Sequence, residues 1–220
     1  MKIIWVTNTF RYSAIELTVK SFIQDKNVKN NLDLIILQID DEKNKSEIKY
    51  INQLKKLGVK FIKIKYETYF GIAKPKVLFK TFRIISSNKP DLVHIYCERF
   101  SFYLAMCSRL LKIPTVKTVC HIFDFGKGII PVVRRFSKII QRFILRKLKV
   151  TFLTCSDTNS KHERNYFYNN NAAPIYNWFD PNDYSFKKKE NLANKLNLKK
   201  IQPITFCTIG GNWYYKNFKS

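Results

Sequence analysis

The sequence has 220 residues, of which 45% are hydrophobic and 15% aromatic, so it can bury a globular core. Its 40 Lys and Arg against 16 Asp and Glu give a net charge of +24, which favours polyanionic surroundings: nucleic acid, phosphorylated ligands or an acidic membrane face. We expect no signal peptide, and no apolar run is long enough to cross a bilayer, so any membrane contact is predicted to be peripheral.

Predicted strands and helices alternate through the first 120 residues. Short β-rich apolar runs predict strands at residues 2–6, 32–39, 59–64, 92–96 and 115–119. Helical periodicity between these runs predicts helices at 14–25, 45–57, 74–88 and 102–111, with Gly58 ending the second helix. This alternation is typical of an α/β protein with a Rossmann-like, doubly wound parallel sheet.

The stretch from residue 89 to 125 forms one predicted strand-helix-strand unit. Two strands joined by a helix of this length are parallel neighbours, so their carboxyl ends open on the same edge of the sheet. Glu98 and Arg99 follow the first strand, whereas His121 and Asp124 follow the second. Because ligands of open α/β sheets bind outside that edge, these four residues are candidate site residues.

A strongly amphipathic, basic helix is predicted from about residue 132 to 146, inside a segment (126–155) without acidic residues. One arc of this region carries its apolar residues: Ile129, Val132, Val133, Phe136, Ile139, Ile140 and Phe143. The other arc carries its basic residues: Arg134, Arg135, Lys138, Arg142 and Arg146. We expect the apolar arc to pack inward, and the basic arc to face either solvent or the phosphates of an anionic membrane.

The remaining elements complete one domain and begin another. A strand is predicted at 150–153, then a helix capped by Ser156 and extending to about residue 168, then a short last strand beginning at Ile175. Residues 182–202 are polar and Lys-rich and are predicted to connect domains. A buried-type strand at 203–209 ends at a glycine pair. We therefore predict a first domain at 1–181, a linker at 182–202 and the start of a truncated second domain at 203–220.

The histidines and cysteines favour a reduced protein without a metal site. Five cysteines occur, none of them in a C-x-x-C pair, which argues against a disulfide framework and a structural zinc site and fits a reducing cytosol. We interpret the cysteines as small buried hydrophobic residues. His94 is predicted to be a hydrogen-bonded strand histidine, and His162 a solvated helix histidine.

Several landmarks occur in an order that carries a family resemblance. They are residues 2–6, Glu16, residues 90–95, residues 113–116, residues 118–121, Ser156, residues 177–180, Gly210, Gly211, Lys216 and Asn217. With these landmarks the sequence resembles the amino-terminal half of a GT-B glycosyltransferase, most closely glycosyltransferase family 4. The resemblance covers nearly the whole chain.

The resemblance implies two Rossmann-like domains facing each other across a cleft, the first mainly for the acceptor and the second mainly for a nucleotide-sugar. It implies that His121 lines the cleft near the reacting sugar and is the catalytic residue. It also implies that Gly210, Gly211 and Lys216 approach the donor diphosphate, where backbone N–H groups and a lysine charge suit phosphate oxygens. No metal or other cofactor is expected, since the nucleotide-sugar is a substrate.

Four further residues are assigned to substrate binding: Glu98, Arg99, Asp124 and Asn177. The sequence also departs from the family pattern. Ser13 and Ala14 stand where a glycine-rich first turn is usual, and Trp178 follows Asn177 where a glycine is usual. The family's pair of donor-holding glutamates has no counterpart before residue 220, so the chain alone is not expected to catalyse transfer.

Three functions remain open at this point. The first is a glycosyltransferase fragment acting on a glycan or lipid-linked glycan, in surface polysaccharide or lipopolysaccharide synthesis, in the cytoplasm or at the inner membrane face. The second is a non-catalytic remnant, or a binding half that needs a separate donor domain. The third is a basic nucleic-acid-binding protein, which is less favoured because no helix-turn-helix, zinc or base-stacking signature is present.

Overall fold

A computed structural model describes residues 1–7, 19–20, 22–39, 45–65, 68–69, 72–98, 100–120 and 129–176. The chain divides into two compact units, Met1–Phe179 and Asp180–Ser220. All described residues belong to the first unit. The predicted linker and the predicted start of a second domain lie outside the described residues and stay predictions.

The described part of the chain contains nine strands and six helices. The strands are β1 Lys2–Thr7, β2 Asp33–Ile39, β3 Lys60–Ile64, β4 Thr68–Tyr69, β5 Ile72–Ala73, β6 Leu92–Ile95, β7 Thr115–Val119, β8 Thr151–Thr154 and β9 Ala173–Pro174. The helices are α1 Lys26–Asn31, α2 Lys45–Lys56, α3 Pro75–Asn88, α4 Ser101–Leu110, α5 Ile129–Lys147 and α6 Asp157–Phe167. Residues 19–20 and 22–24 are also helical.

Seven of these strands form one parallel sheet in the order β3-β2-β1-β6-β7-β8-β9, while β4 and β5 form a separate antiparallel pair. The predicted fold class is therefore confirmed. Strands β1 and β2 are mostly apolar and mostly buried, as is usual for parallel strands that are covered on both faces. The predicted strands lie within one or two residues of their observed bounds, whereas the β4-β5 pair was not predicted.

Two hydrophobic clusters cover opposite faces of the sheet. On one face, Ile4 and Val93 pack with Ile85 of α3 and Leu104 of α4. On the other face, Trp5 and Ile36 pack with Leu54 of α2 and with Val19 and Ile23 of the first helical segment. Gly58 ends α2 with φ +91°, a conformation that glycine adopts without the steric cost of a side chain.

The strand order reverses direction between β1 and β6. From β1 the chain winds outward through β2 to β3, and it then returns to β6 beside β1 and winds the other way. Neighbouring strand ends diverge at such a switch point and leave a crevice at the carboxyl edge of the sheet. The fold therefore places the end of β6, and with it Glu98, beside that crevice.

Candidate functional site

The carboxyl edge of the sheet brings together polar and sulfur-bearing residues that directly follow three adjacent strands. Tyr96, Cys97 and Glu98 follow β6, Cys120 follows β7, and Cys155 follows β8. Strands β6 and β7 pair in parallel with Ile95 opposite Lys117, as the strand-helix-strand prediction requires.

Glu98 lies at this edge with its carboxylate facing three cations. Its Oε1 lies 3.1 Å from Nζ of Lys117, and its Oε2 accepts a hydrogen bond of 2.9 Å from Nζ of Lys138. The guanidinium of Arg142 donates to both oxygens, at 3.0 and 3.1 Å. Each carboxylate oxygen is thus held by two cationic donors.

Arg142 continues this arrangement to a second carboxylate. Its Nε donates to Oε2 of Glu163 at 2.9 Å, and one terminal nitrogen donates to Oε1 at 3.0 Å. Both side chains are fully buried, and the guanidinium also lies 5.6 Å from the ring centres of Phe152 and Phe167. We call Glu98, Lys117, Lys138, Arg142 and Glu163 the Glu98 network; it joins the end of β6 and the middle of β7 to α5 and α6.

The charges of the network fix its protonation states. Burial by itself raises the pKa of Glu98, but Lys117, Arg142 and Lys138 hold that pKa well below its usual range. Burial lowers the pKa of Lys117, opposed by the charge of Glu98. Burial also lowers the pKa of Arg142, but the two carboxylates outweigh it and raise the pKa. Glu98 is therefore a carboxylate at neutral pH.

Glu98, which was predicted to bind substrate, is held in the structure by three cationic side chains. An acceptor hydroxyl at Glu98 would share the carboxylate with Lys117, Lys138 and Arg142. The other predicted site residues, His121, Arg99, Asp124, Asn177, Gly210, Gly211 and Lys216, lie outside the described residues. Their roles, and that of Glu98, stay predictions.

The partners of Glu98 were not predicted from the sequence. Lys117 lies in the middle of β7 with its side chain fully buried, and it donates a hydrogen bond of 2.8 Å to the backbone oxygen of Cys97. A lysine in a strand covered on both faces needs an acidic partner, because an unpaired buried charge is costly. A lysine in the middle of a predicted buried strand therefore indicated, from the sequence alone, that an acidic partner lies nearby.

The expected orientation of α5 is wrong. Its basic residues Lys138 and Arg142 turn inward to Glu98 and Glu163, and Leu145 is buried beside them. Five of its apolar residues instead face outward, among them Val132, Phe136 and Phe143, which are 65%, 62% and 51% exposed. This orientation places Lys138 and Arg142 beside Glu98 and Glu163, whose carboxylates would be costly to leave without cationic partners.

We define the apolar stripe of α5 by its exposed residues Val132, Val133, Phe136, Ile140 and Phe143. Arg134, Arg135 and Lys147 are also exposed on this helix. Exposed apolar patches bordered by charged residues mark interaction sites. Among the described helices, none has the length and apolar character needed to cross a bilayer.

The two described histidines differ in how well they were predicted. His94 is half-buried beside Trp5 and Tyr96, and its Nε2 lies 2.7 Å from Oγ1 of Thr118, so its prediction as a hydrogen-bonded strand residue is confirmed. Burial lowers the pKa of His94 to about 4, which makes it neutral at physiological pH. His162 is not merely solvated, because it stacks on Tyr166 and its buried Nε2 has no hydrogen-bond partner within the described part of the chain.

Comparison with known proteins shows the fold. No protein-family model matches the chain, and no curated protein matches it at a significant level. Among solved structures, a glycosyltransferase from Rickettsia africae aligns over 90% of this chain and 50% of its own, with a TM-score of 0.59 and 16% identity. Anabaena HepE in complex with UDP aligns over the same shares, with a TM-score of 0.60 and 15% identity.

A third structure, S. aureus MnaA with UDP, aligns over 90% of this chain and 51% of its own, with a TM-score of 0.50 and 16% identity. The chain thus spans about half the length of the solved structures it resembles. The structural neighbours are GT-B proteins, and the described chain has the Rossmann-like fold of one half of such a protein. The predicted resemblance is confirmed at the level of the fold.

Proposed function

We propose that this chain is the acceptor-side half of a GT-B glycosyltransferase, which moves a sugar from a nucleotide-sugar to a glycan or a lipid-linked glycan. The observation that best supports this proposal is the alignment of 90% of the chain with half of Anabaena HepE, which was solved with UDP and with UDP-glucose. The crevice at the switch point between β1 and β6 is where such a sheet binds ligands. Synthesis of surface polysaccharide or lipopolysaccharide is the process we propose.

The proposed roles follow the sequence resemblance. His121 directly follows Cys120 at the carboxyl end of β7, one strand away from the switch point, and is proposed to act at the reacting sugar. Arg99, Asp124 and Asn177 are proposed to contact substrate, and Gly210, Gly211 and Lys216 to contact the donor diphosphate. Glu98 is proposed to act through its network, by fixing the end of β6 against β7 and α5.

The catalytic proposal is tested by sugar transfer from a panel of UDP-sugars. The 220-residue chain is assayed alone and together with the polypeptide encoded directly downstream, using a lipid extract as the acceptor. We expect transfer only in the combined assay, and we expect His121→Ala to lower it at least about 100-fold, the usual scale for a general acid-base group. His162→Ala is the matched histidine control. Equal turnover in both variants would reject the role of His121.

A second candidate is a binding half without its own catalytic activity. The observation that favours it is the engagement of Glu98, the one predicted site residue in the described part of the chain, whose carboxylate is already held by Lys117, Lys138 and Arg142. It predicts calorimetrically detectable binding of an acceptor glycan or of UDP but no transfer in any combination. Transfer in the combined assay would exclude it.

We further propose that α5 attaches the protein to the inner face of the cytoplasmic membrane. The apolar stripe would enter the boundary between head groups and acyl chains, while Arg134, Arg135 and Lys147 contact lipid phosphates. Each such basic residue contributes about 1 kcal/mol at an anionic surface. This differs from the sequence-based expectation, in which the basic arc alone met the membrane.

Vesicle sedimentation tests this attachment. With vesicles containing anionic lipid, we expect the double variant Phe136→Ser/Phe143→Ser to bind much less than the unaltered chain. The control is Phe79→Ser, which changes an equally exposed phenylalanine on α3. Arg134→Gln/Arg135→Gln should weaken binding to anionic vesicles only, and Lys76→Gln/Lys80→Gln on α3 is its charge-matched control. Equal loss in a variant and its control would reject α5 as the contact.

A further inference from the structure

Two cysteines meet at the carboxyl edge of the sheet although 34 residues separate them in the sequence. The sulfur atoms of Cys120 and Cys155 lie 3.0 Å apart, about 1 Å longer than a disulfide bond of about 2.05 Å. Both side chains are only half-buried, whereas Cys97 and Cys107 are buried in the core. The interpretation of all cysteines as buried hydrophobic residues therefore holds for Cys97 and Cys107 and is wrong for this pair.

Sheet register fixes the two cysteines opposite each other. Val119 of β7 pairs with Thr154 of β8, so the next residues, Cys120 and Cys155, are cross-strand neighbours. The backbone N–H of Cys155 donates to the oxygen of Val119, which extends the ladder to this point. Adjacent strands lie roughly 4.8 Å apart, within the span of about 4.4 to 6.8 Å between Cα atoms that a disulfide bridges. A bond between these sulfurs therefore needs only a small movement.

The surroundings of the pair make one sulfur the nucleophile. Hydrogen bonding to Cys120 lowers the pKa of Cys155, and bonding from Tyr96 acts in the same direction. The same hydrogen bond raises the pKa of Cys120, with burial as a further cause. Since the thiolate is the reactive form, the lower pKa favours Cys155 as the attacking sulfur and Cys120 as the resolving one.

We infer that Cys120 and Cys155 are a modification site, a dithiol that low-molecular-weight disulfides oxidise reversibly to an intramolecular disulfide. The Cys155 thiolate attacks one sulfur of the small disulfide, forms a mixed disulfide and releases one small thiolate. Cys120 then loses its proton and attacks the Cys155 sulfur, which forms the Cys120–Cys155 bond and releases the second small thiolate. Two electrons pass from the protein to the small disulfide, and excess small thiol reverses both steps.

An apolar cavity of about 140 Å³ lies beside the pair on the same face of the sheet. Trp5, His94, Tyr96, Thr118 and Leu153 are among its lining residues. Tyr96 lines the cavity, and its hydroxyl also interacts electrostatically with both cysteines. In the core, by contrast, burial raises the pKa of Cys97 to about 12, so this thiol is unreactive at neutral pH.

The inference is tested on the 220-residue chain incubated with oxidised glutathione and measured by intact mass spectrometry under denaturing conditions. We expect a loss of two hydrogen atoms, independent of protein concentration, and a peptide map that links Cys120 to Cys155. Cys155→Ser and Cys120→Ser should abolish this mass loss, while Cys207→Ser should leave it unchanged. Excess reduced glutathione should restore both thiols.

Three results would overturn the inference: a glutathione adduct that does not resolve, a disulfide between two chains, or a peptide map that links another pair of cysteines. A second probe covers the case in which a serine variant fails to fold. Phenylarsine oxide bridges two adjacent thiols, so one equivalent should protect Cys120 and Cys155 of the unaltered chain from alkylation. Alkylation of both cysteines at the unprotected rate would also overturn it.

Discussion

Helices α3 and α5 are both basic and amphipathic, yet they attach to the protein by opposite faces. In α3, Val77, Thr81 and Ile85 are buried, and the basic residues lie on the outer side. In α5, Arg142 is fully buried together with Leu145, and the apolar stripe is exposed. An amphipathic pattern thus defines two faces of a helix but does not decide which one turns inward.

The two helices bury opposite faces because they contact different residues of the neighbouring elements. Helix α3 packs on Ile4, Val6 and other apolar residues of the central strands, so burial of its apolar face is favourable. Helix α5 meets the carboxylates of Glu98 and Glu163. Leaving the fully buried carboxylate of Glu163 and the half-buried carboxylate of Glu98 without cationic partners would destabilise the fold more than an exposed apolar stripe does. The following predictions separate these two modes of attachment.

The largest effect is expected from Arg142→Met, which keeps the apolar stem of the side chain but removes its charge. Glu163 then loses its ion-pair partner in a fully buried position, and Glu98 loses one of three cations. We expect the free energy of unfolding to fall by about 4 kcal/mol in urea denaturation, the scale for breaking a buried ion pair. Arg134→Met, on the exposed side of α5, is the control and should change stability by less than about 0.5 kcal/mol.

A double variant distinguishes charge from packing. Arg142→Met combined with Glu163→Gln removes both charges of the buried pair, so it should recover part of the lost stability. A double variant no more stable than Arg142→Met would mean that the contact of the Arg142 guanidinium with the rings of Phe152 and Phe167, rather than the ion pair, holds α5.

In α3, the residue that corresponds to Arg142 as an anchor of the helix is the apolar Ile85. Ile85→Ala removes a fully buried side chain from the core cluster, and we expect a loss of about 3 kcal/mol in the free energy of unfolding. Phe79→Ala on the same helix changes a side chain that is 69% exposed and serves as the control. Equal effects of the two substitutions in urea denaturation would contradict the assigned orientation of α3.

Acid should weaken the attachment of α5 and leave that of α3 unchanged, since the buried residues of α3 do not titrate. The pKa of Glu98 is lower in the folded chain than its unfolded value of about 4.3. Its contribution is therefore fully present above that unfolded value and is lost as pH falls through the folded pKa. We expect a loss of roughly 2 kcal/mol, the scale of a charged hydrogen bond.

The measurement is urea denaturation of the unaltered chain and of Glu98→Gln across the acid range. Glu98→Gln should be less stable than the unaltered chain at pH 7, and the difference should shrink as pH falls through the folded pKa of Glu98. A difference between Glu98→Gln and the unaltered chain that stays constant with pH would show that Glu98 does not stabilise the fold through its charge.

The sequence predicted most of the sheet because periodicity reports local structure. Apolar runs placed the strands, and Ser156 was correctly predicted to cap α6, where its Oγ accepts a hydrogen bond of 3.2 Å from the N–H of Asn159. The orientation of α5 and the Cys120–Cys155 pair could not be predicted in this way. Both depend on which residues the sheet register brings together from distant parts of the sequence, and neither spacing nor composition encodes that.

The smallest stability effect is expected at the apolar stripe itself. Phe136→Ser should change the free energy of unfolding by less than about 0.5 kcal/mol, because the ring is 62% exposed and leaves no cavity when removed. Val77→Ser, at a buried position of α3, should cost several times more in the same urea denaturation. A loss of more than about 1 kcal/mol for Phe136→Ser would mean that the stripe is packed against protein. If the stability of Phe136→Ser is unchanged while vesicle binding of the stripe variant falls, the apolar stripe serves binding rather than folding. That result would agree with the Glu98 network, which holds the opposite side of α5 against the protein.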